Sequence, residues 1–183
     1  MIDYKKKLNL IRHEEGGYYR LFYKSEDEVN VLSDRYQASV NDKNGFSSKK
    51  AIKRNAWSSI YYLLEQEDFS AWHRLKSDEI WHYYDGGSPI DLYVIDEKDE
   101  LRHFTLGNPA MSEKASFQIV IKAGWWFAAE VRDKKSFALI GCTVSPAFEY
   151  ADFELADRQT MIIKYKKHSI LIERLTREVK KNK

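Results

Sequence analysis

From residue 56 to residue 144 the chain repeats one pattern. A short run of β-branched and aromatic side chains is followed by a stop at glycine, proline, asparagine or aspartate. The runs cover 58–64, 79–84, 91–95, 101–106, 117–121, 125–131 and 136–144. Asp85-Gly86-Gly87 closes the second run, the stretch 96–99 closes the third, and Gly107-Asn108-Pro109 closes the fourth. Runs bounded this way by turn-forming residues read as strands. No helical periodicity alternates with them, which argues against a parallel sheet with crossover helices. The pattern predicts an all-β sandwich or barrel.

The flanks add little to that core. Residues 3–12 place Tyr4, Leu8 and Ile11 on one face of a short amphipathic helix. His13-Glu14-Glu15-Gly16-Gly17 is a turn, and 18–23 reads as a strand. The polar stretch 24–56 reads as a surface excursion with a short helix near 26–32. Asp157 is placed to cap a helix running to about residue 165, and a second begins at Ser169 with Ile170, Leu171 and Leu175 as its apolar stripe. Residues 177–183 read as a charged, solvated tail. Residues 1–183 form a single domain in this reading.

Composition narrows the function classes. Thirty Lys+Arg against 28 Asp+Glu leave a net charge of +2, which does not suit a nucleic-acid-binding surface. No apolar run approaches the roughly 18 residues of a membrane span. A lone cysteine, Cys142, excludes an intramolecular disulfide framework and a Cys-rich zinc module, and its apolar strand suits a buried, inert thiol. The N-terminal lysines lead into no signal-peptide apolar stretch, so the expected location is the cytoplasm.

Chemistry-bearing residues concentrate in 72–86. If 79–84 is a strand, Glu79, Trp81 and Tyr83 share a face and His82 points the other way. A turn at 74–78 would bring His73 back toward Glu79. A histidine beside a carboxylate in a barrel mouth can move protons or ligate a metal. Aromatic residues such as Tyr62, Trp81 and Trp126 can line a ligand pocket. Arg20 can hold an anionic group. His13, His103 and His168 have no ligand spacing to one another and are given no role.

These residues resemble the cupin superfamily. Its first motif runs Gly, His-x-His, Glu, Gly. His73, Glu79 and Gly86 fit it, and Leu75 stands where the second histidine belongs. In the second motif Gly124 matches, Lys122 replaces the proline and Phe127 replaces the histidine. The resemblance sharpens to the fifth cupin family. His13-Glu14-Glu15-Gly16-Gly17-Tyr18-Tyr19-Arg20, the stretch 58–64, the block 72–82, and the stretches 141–149 and 152–155 follow its motifs in order.

The resemblance implies a double-stranded β-helix, the cupin jelly-roll barrel, with short N- and C-terminal helices, usually paired as a homodimer. It places Glu15 near the barrel mouth and carries no reaction with it. Some cupins epimerise sugar nucleotides with a histidine base and no metal. On that layout His73 moves a proton, Glu79 sets its tautomer, Tyr83 donates to an oxyanion, and Arg20, Glu15, Tyr62, Trp81 and Trp126 bind a small, anionic or sugar-like ligand. His73 and Glu79 are the only metal-ligand positions kept, so no cofactor is expected and a divalent metal ranks behind proton transfer. Two alternatives stay open: a metabolite-binding cupin without chemistry, and a metal-dependent cupin enzyme with a depleted ligand set.

Overall fold

The computed structural model describes residues 3–31, 34–36, 40–41, 47–48 and 51–177. Helix α1 (Tyr4–Lys7) is shorter than the sequence pattern suggests. Asp3 caps it through the Lys6 N–H, and Asn9 (φ 52°) turns the chain out of the helix. Ile11 therefore joins strand β1 (Ile11–Arg12), which pairs with β2 (Tyr18–Lys24).

The excursion departs from its reading. Where a helix was expected near 26–32 there is a strand, β3 (Glu28–Val31), paired antiparallel with β6 (Ile52–Asn55). Val29 and Val31 are β-branched, and the partner strand satisfies backbone groups that an isolated short helix would leave open. Between them lie a 3₁₀ turn (Asp34–Tyr36) and a small pair, β4 (Val40–Asn41) with β5 (Ser47–Ser48). Residues 32–33 fall outside the described residues.

The barrel then follows as β7 (Ser58–Glu65), β8 (Phe69–Leu75), β9 (Asp78–Gly86), β10 (Ile90–Ile95) and β11 (Leu101–Leu106). It continues with β12 (Ala115–Ser116), β13 (Gln118–Ile121), β14 (Trp126–Val131), β15 (Phe137–Ser145) and β16 (Phe153–Leu155). One six-stranded sheet has the order β1-β2-β7-β15-β9-β13, and the other β12-β11-β10-β14-β8-β16. From β7 to β10 the chain alternates between the sheets, and it does so again from β13 to β16. That is the winding of a jelly roll. Of the larger strands, β8 is the one the pattern reading missed.

The inner faces pack Leu64, Trp81, Leu92, Phe127 and Ile140 into one core. Helices α2 (Arg158–Lys164) and α3 (Ser169–Arg174), joined by a 3₁₀ turn (Lys166–His168), cover the outside of the second sheet. Trp72, Trp126 and Ala128 meet Met161, Ile172 and Leu175 in that second layer. No helix of the described residues is long and apolar enough to cross a membrane.

Candidate functional site

At one end of the sandwich the sheets enclose a cavity of about 60 Å³. The first sheet contributes Tyr19 of β2, Tyr62 of β7, Glu79 and Trp81 of β9, and Cys142 of β15. The second contributes His73 and Leu75 of β8 and Phe153 of β16. The turn between β1 and β2 supplies His13 and Glu15, and Phe148 lines another side.

A bulge aims the β8 residues inward. Phe127 pairs with His73, but Ala129 pairs with Ser70, so β8 carries one extra residue there. Ser70 and His73, three apart, can therefore both reach the Glu15 carboxyl, while Trp72 faces the helices. The turn is held from several sides. Gly16 (φ 120°) passes so close to β8 that an added Cβ would lie 1.9 Å from the Phe69 carbonyl oxygen. Tyr62 Oη donates to the Gly16 carbonyl at 2.9 Å. The Glu15 carbonyl accepts from the Ala71 N–H at 2.9 Å and from Arg177 Nε at 2.8 Å. Arg177 also bonds Asp68 and the Phe69 carbonyl, so the position read as the start of a solvated tail is a clamp on this turn. Residues 178–183 lie outside the described residues.

The side chain of Glu15 sits between two imidazoles. Its Oε1 accepts from Ser70 Oγ at 2.9 Å. Its Oε2 lies 3.3 Å from His73 Nε2 and 3.5 Å from His13 Nδ1. His73 Nδ1 is 2.7 Å from the Ala71 carbonyl oxygen, which can only accept, so Nδ1 carries the hydrogen and Nε2 the lone pair. His13 Nδ1 accepts the Glu15 N–H at 3.3 Å.

Burial shifts these groups in opposite directions. It holds His73 at about 4, below its ordinary 6.5, and lowers His13 as well. It raises Glu15, and it raises Glu79 to about 8, with the neighbouring Glu15 charge adding to the effect. Cys142 is buried and pushed well above the ordinary thiol value, so it stays protonated. Glu79 Oε2 and the Trp81 indole N–H are buried without a hydrogen-bond partner.

The sequence-derived candidates separate. Glu15, Tyr62, His73, Glu79 and Trp81 come together around the cavity. Tyr83 lies outside the lining, its hydroxyl donating to the Gly86 carbonyl at 2.8 Å. Trp126 turns to the helix layer, where the Arg74 guanidinium lies 4.5 Å from its ring. Strand alternation makes its neighbour Phe127 the inward residue, 3.9 Å from the His73 ring. Arg20 is turned away too, its guanidinium over the Tyr61 ring at 5.6 Å while Tyr19 faces the cavity. The carboxyl beside His73 is that of Glu15, and the Ala71 carbonyl sets the tautomer in the part expected of Glu79. His13 was passed over, although it opens the Glu-Gly-Gly motif that carries Glu15.

This arrangement of barrel, turn and paired residues agrees with the family comparison, in which residues 3–156 match the model for Cupin_5, cupin superfamily (DUF985). The chain belongs to that family. Among solved structures, this Cupin_5 chain is similar to a Shewanella oneidensis protein at 31% identity and a TM-score of 0.77, covering 97% of each chain. A hypothetical protein from Leishmania major is 29% identical, with a TM-score of 0.76 and coverage of 96% of this chain and 97% of that one. Bacillus subtilis oxalate decarboxylase shares the fold alone, at 14% identity and a TM-score of 0.51, with 92% of this chain spanning 37% of that one. No curated protein matches the chain.

That decarboxylase has Mn(II) centres, which raises the question of fit here. The motif positions that would complete a ligand set hold Leu75 and Phe127, and the Phe127 ring packs against His73. Among the described residues no three His, Cys, Asp or Glu side chains are grouped to hold a metal ion. The donor set does not fit a cupin metal, and no step below is routed through one.

Proposed function

We propose that this cupin is an acid–base enzyme of isomerase or epimerase type, exchanging a proton at a carbon beside a carbonyl of a small substrate. The reading rests on the neutral imidazole of His73, whose Nε2 lone pair stands 3.3 Å from Glu15 Oε2 in the cavity between the sheets. At pH 7 His73 is unprotonated and able to accept. Burial raises Glu15, which favours its protonated form and suits the carboxyl to the part of proton donor. Two titratable groups pushed apart by one environment form an acid and a base. His73 takes the proton from carbon, and Glu15 delivers its own to the oxygen that gathers charge. Return of a proton from His73 to carbon, and of the oxygen's proton to Glu15, completes the exchange and restores both groups.

The volume limits what reacts. A water needs roughly 10–15 Å³ on this measure, so about 60 Å³ admits a few heavy atoms. Only the reacting part of a sugar nucleotide would enter.

The test is wash-in of solvent deuterium, followed by NMR, over a panel of hydroxycarbonyl compounds, amino sugars and sugar nucleotides. The wild type should label one carbon-bound position. His73→Ala and Glu15→Gln should each lower that rate by about 10²–10⁴-fold. Full exchange in His73→Ala would overturn the assignment. Tight binding of a compound that never exchanges would favour the metabolite-binding alternative.

A further inference from the structure

We infer that the ligand of this cavity carries a small organic cation, a protonated amine, and that Glu79 receives it. The inference deepens the proposed function, because it rests on the same cavity being the reaction site.

Three observations carry it. The first is the charge of the lining. Among the described residues its ionisable groups are two carboxyls, two imidazoles, two phenols and a thiol, and neither lysine nor arginine contributes to it. The guanidinium that could have received an anion, Arg20, lies on the other face of its strand. An anionic ligand would meet no lysine or arginine counter-charge in this space.

The second is Glu79 itself. It is 6% exposed, lines the cavity, and leaves Oε2 without a hydrogen bond. Buried carboxyl oxygens are seldom left unpaired, because the lost solvation is returned only by a donor. The Trp81 indole N–H and the weakly donating Cys142 thiol lie beside the carboxyl, yet neither completes a hydrogen bond to Oε2. An ammonium N–H is such a donor, and its charge favours the ionised form of a carboxyl that burial otherwise keeps protonated.

The third is the wall. Tyr19, Tyr62, Trp81, Phe148 and Phe153 surround the same space. Aromatic faces attract cations, most strongly where water is excluded. Carboxyl and rings together form an amine receptor, and the small volume favours a primary amine over a bulky one.

The experiment compares three probes of similar size at matched ionic strength: ethylammonium, acetamide and acetate. Binding is followed by the Trp81 indole N–H signal in ¹H–¹⁵N spectra. Ethylammonium should shift that signal saturably, and acetate should leave it unmoved. Glu79→Gln should weaken the ethylammonium response by about tenfold or more. Acetamide or acetate acting as strongly as ethylammonium would overturn the proposal. So would an unchanged response in a folded Glu79→Gln, or silence from all three probes. A response to MnCl₂ or ZnCl₂ in place of the amine would overturn it as well. If Glu79→Gln does not fold, the ranking of the three probes on wild type decides alone. None of these outcomes touches the deuterium test of His73, so the two readings fail separately.

Discussion

Single residues set the pH response of this molecule. Glu79 is held at about 8 against 4.5 for an ordinary glutamate, so between those values the folded state carries a proton that the unfolded state has lost. Stability contributed this way falls as pH rises, by at most about 1.4 kcal/mol per pH unit for one group. His73, held at about 4 against 6.5, acts in the opposite sense, because there the unfolded state binds the extra proton. The two effects offset each other between 4.5 and 6.5, and above 6.5 only the carboxyl effect persists. Thermal unfolding should therefore give a Tm that falls from pH 6.5 to 8, and Glu79→Gln should flatten that slope. Glu15 is raised in the same sense and keeps part of it. A wild-type Tm constant across this window would contradict the assignment. His73, Glu79 and Glu15 were legible in the sequence because family motifs fall on them. Their partnership was not, because the turn that carries Glu15 is distant in sequence and adjacent only after β2 pairs with β7. Tyr83 keeps the core-facing side of β9 that it shares with Trp81 but lies beyond the cavity lining. Trp126 faces the helix layer, and alternation along a strand does not say which face meets the cavity.

At the scale of elements, the turn between β1 and β2 and the bulge in β8 together build the site. Gly16 has no room for a side chain, so Gly16→Ala must push the turn away from the Phe69 carbonyl or strain its backbone. Urea unfolding should show a stability loss of about 1–3 kcal/mol, together with loss of deuterium exchange. Arg177→Ala should leave the barrel intact and loosen only the turn, lowering exchange more than it lowers Tm. Equal losses in both would show that the clamp acts on the whole fold. The strand series from β9 to β15 was readable from its turn punctuation. Strand β8 was not, because the bulge resets the alternation between Ser70 and His73 and leaves no period of two to detect. The misread helix near 26–32 shows the same limit. Pairing with β6 decides that segment's form from outside it.

For the whole molecule, one face of the first sheet is left apolar. Phe22 is 60% exposed, Tyr84 51% and Trp57 39%, around a groove that also includes Tyr4 and Tyr61. Contiguous exposed aromatic surface of this kind marks an association site. We propose a homodimer through this face, as the edge-bearing sheets of jelly rolls invite. Light scattering should give twice 21.6 kDa at micromolar concentration, and Phe22→Glu combined with Tyr84→Glu should give the single-chain mass. A wild-type monomer would dismiss the proposal. The clamp of Arg177 on the Glu15 carbonyl joins positions 162 residues apart. On the ribosome the barrel strands are all synthesised before Arg177 emerges. The site's final geometry therefore arrives last, after the sheets can already have formed, and a nascent chain stalled short of that arginine would hold its barrel with the Glu15 turn unsecured.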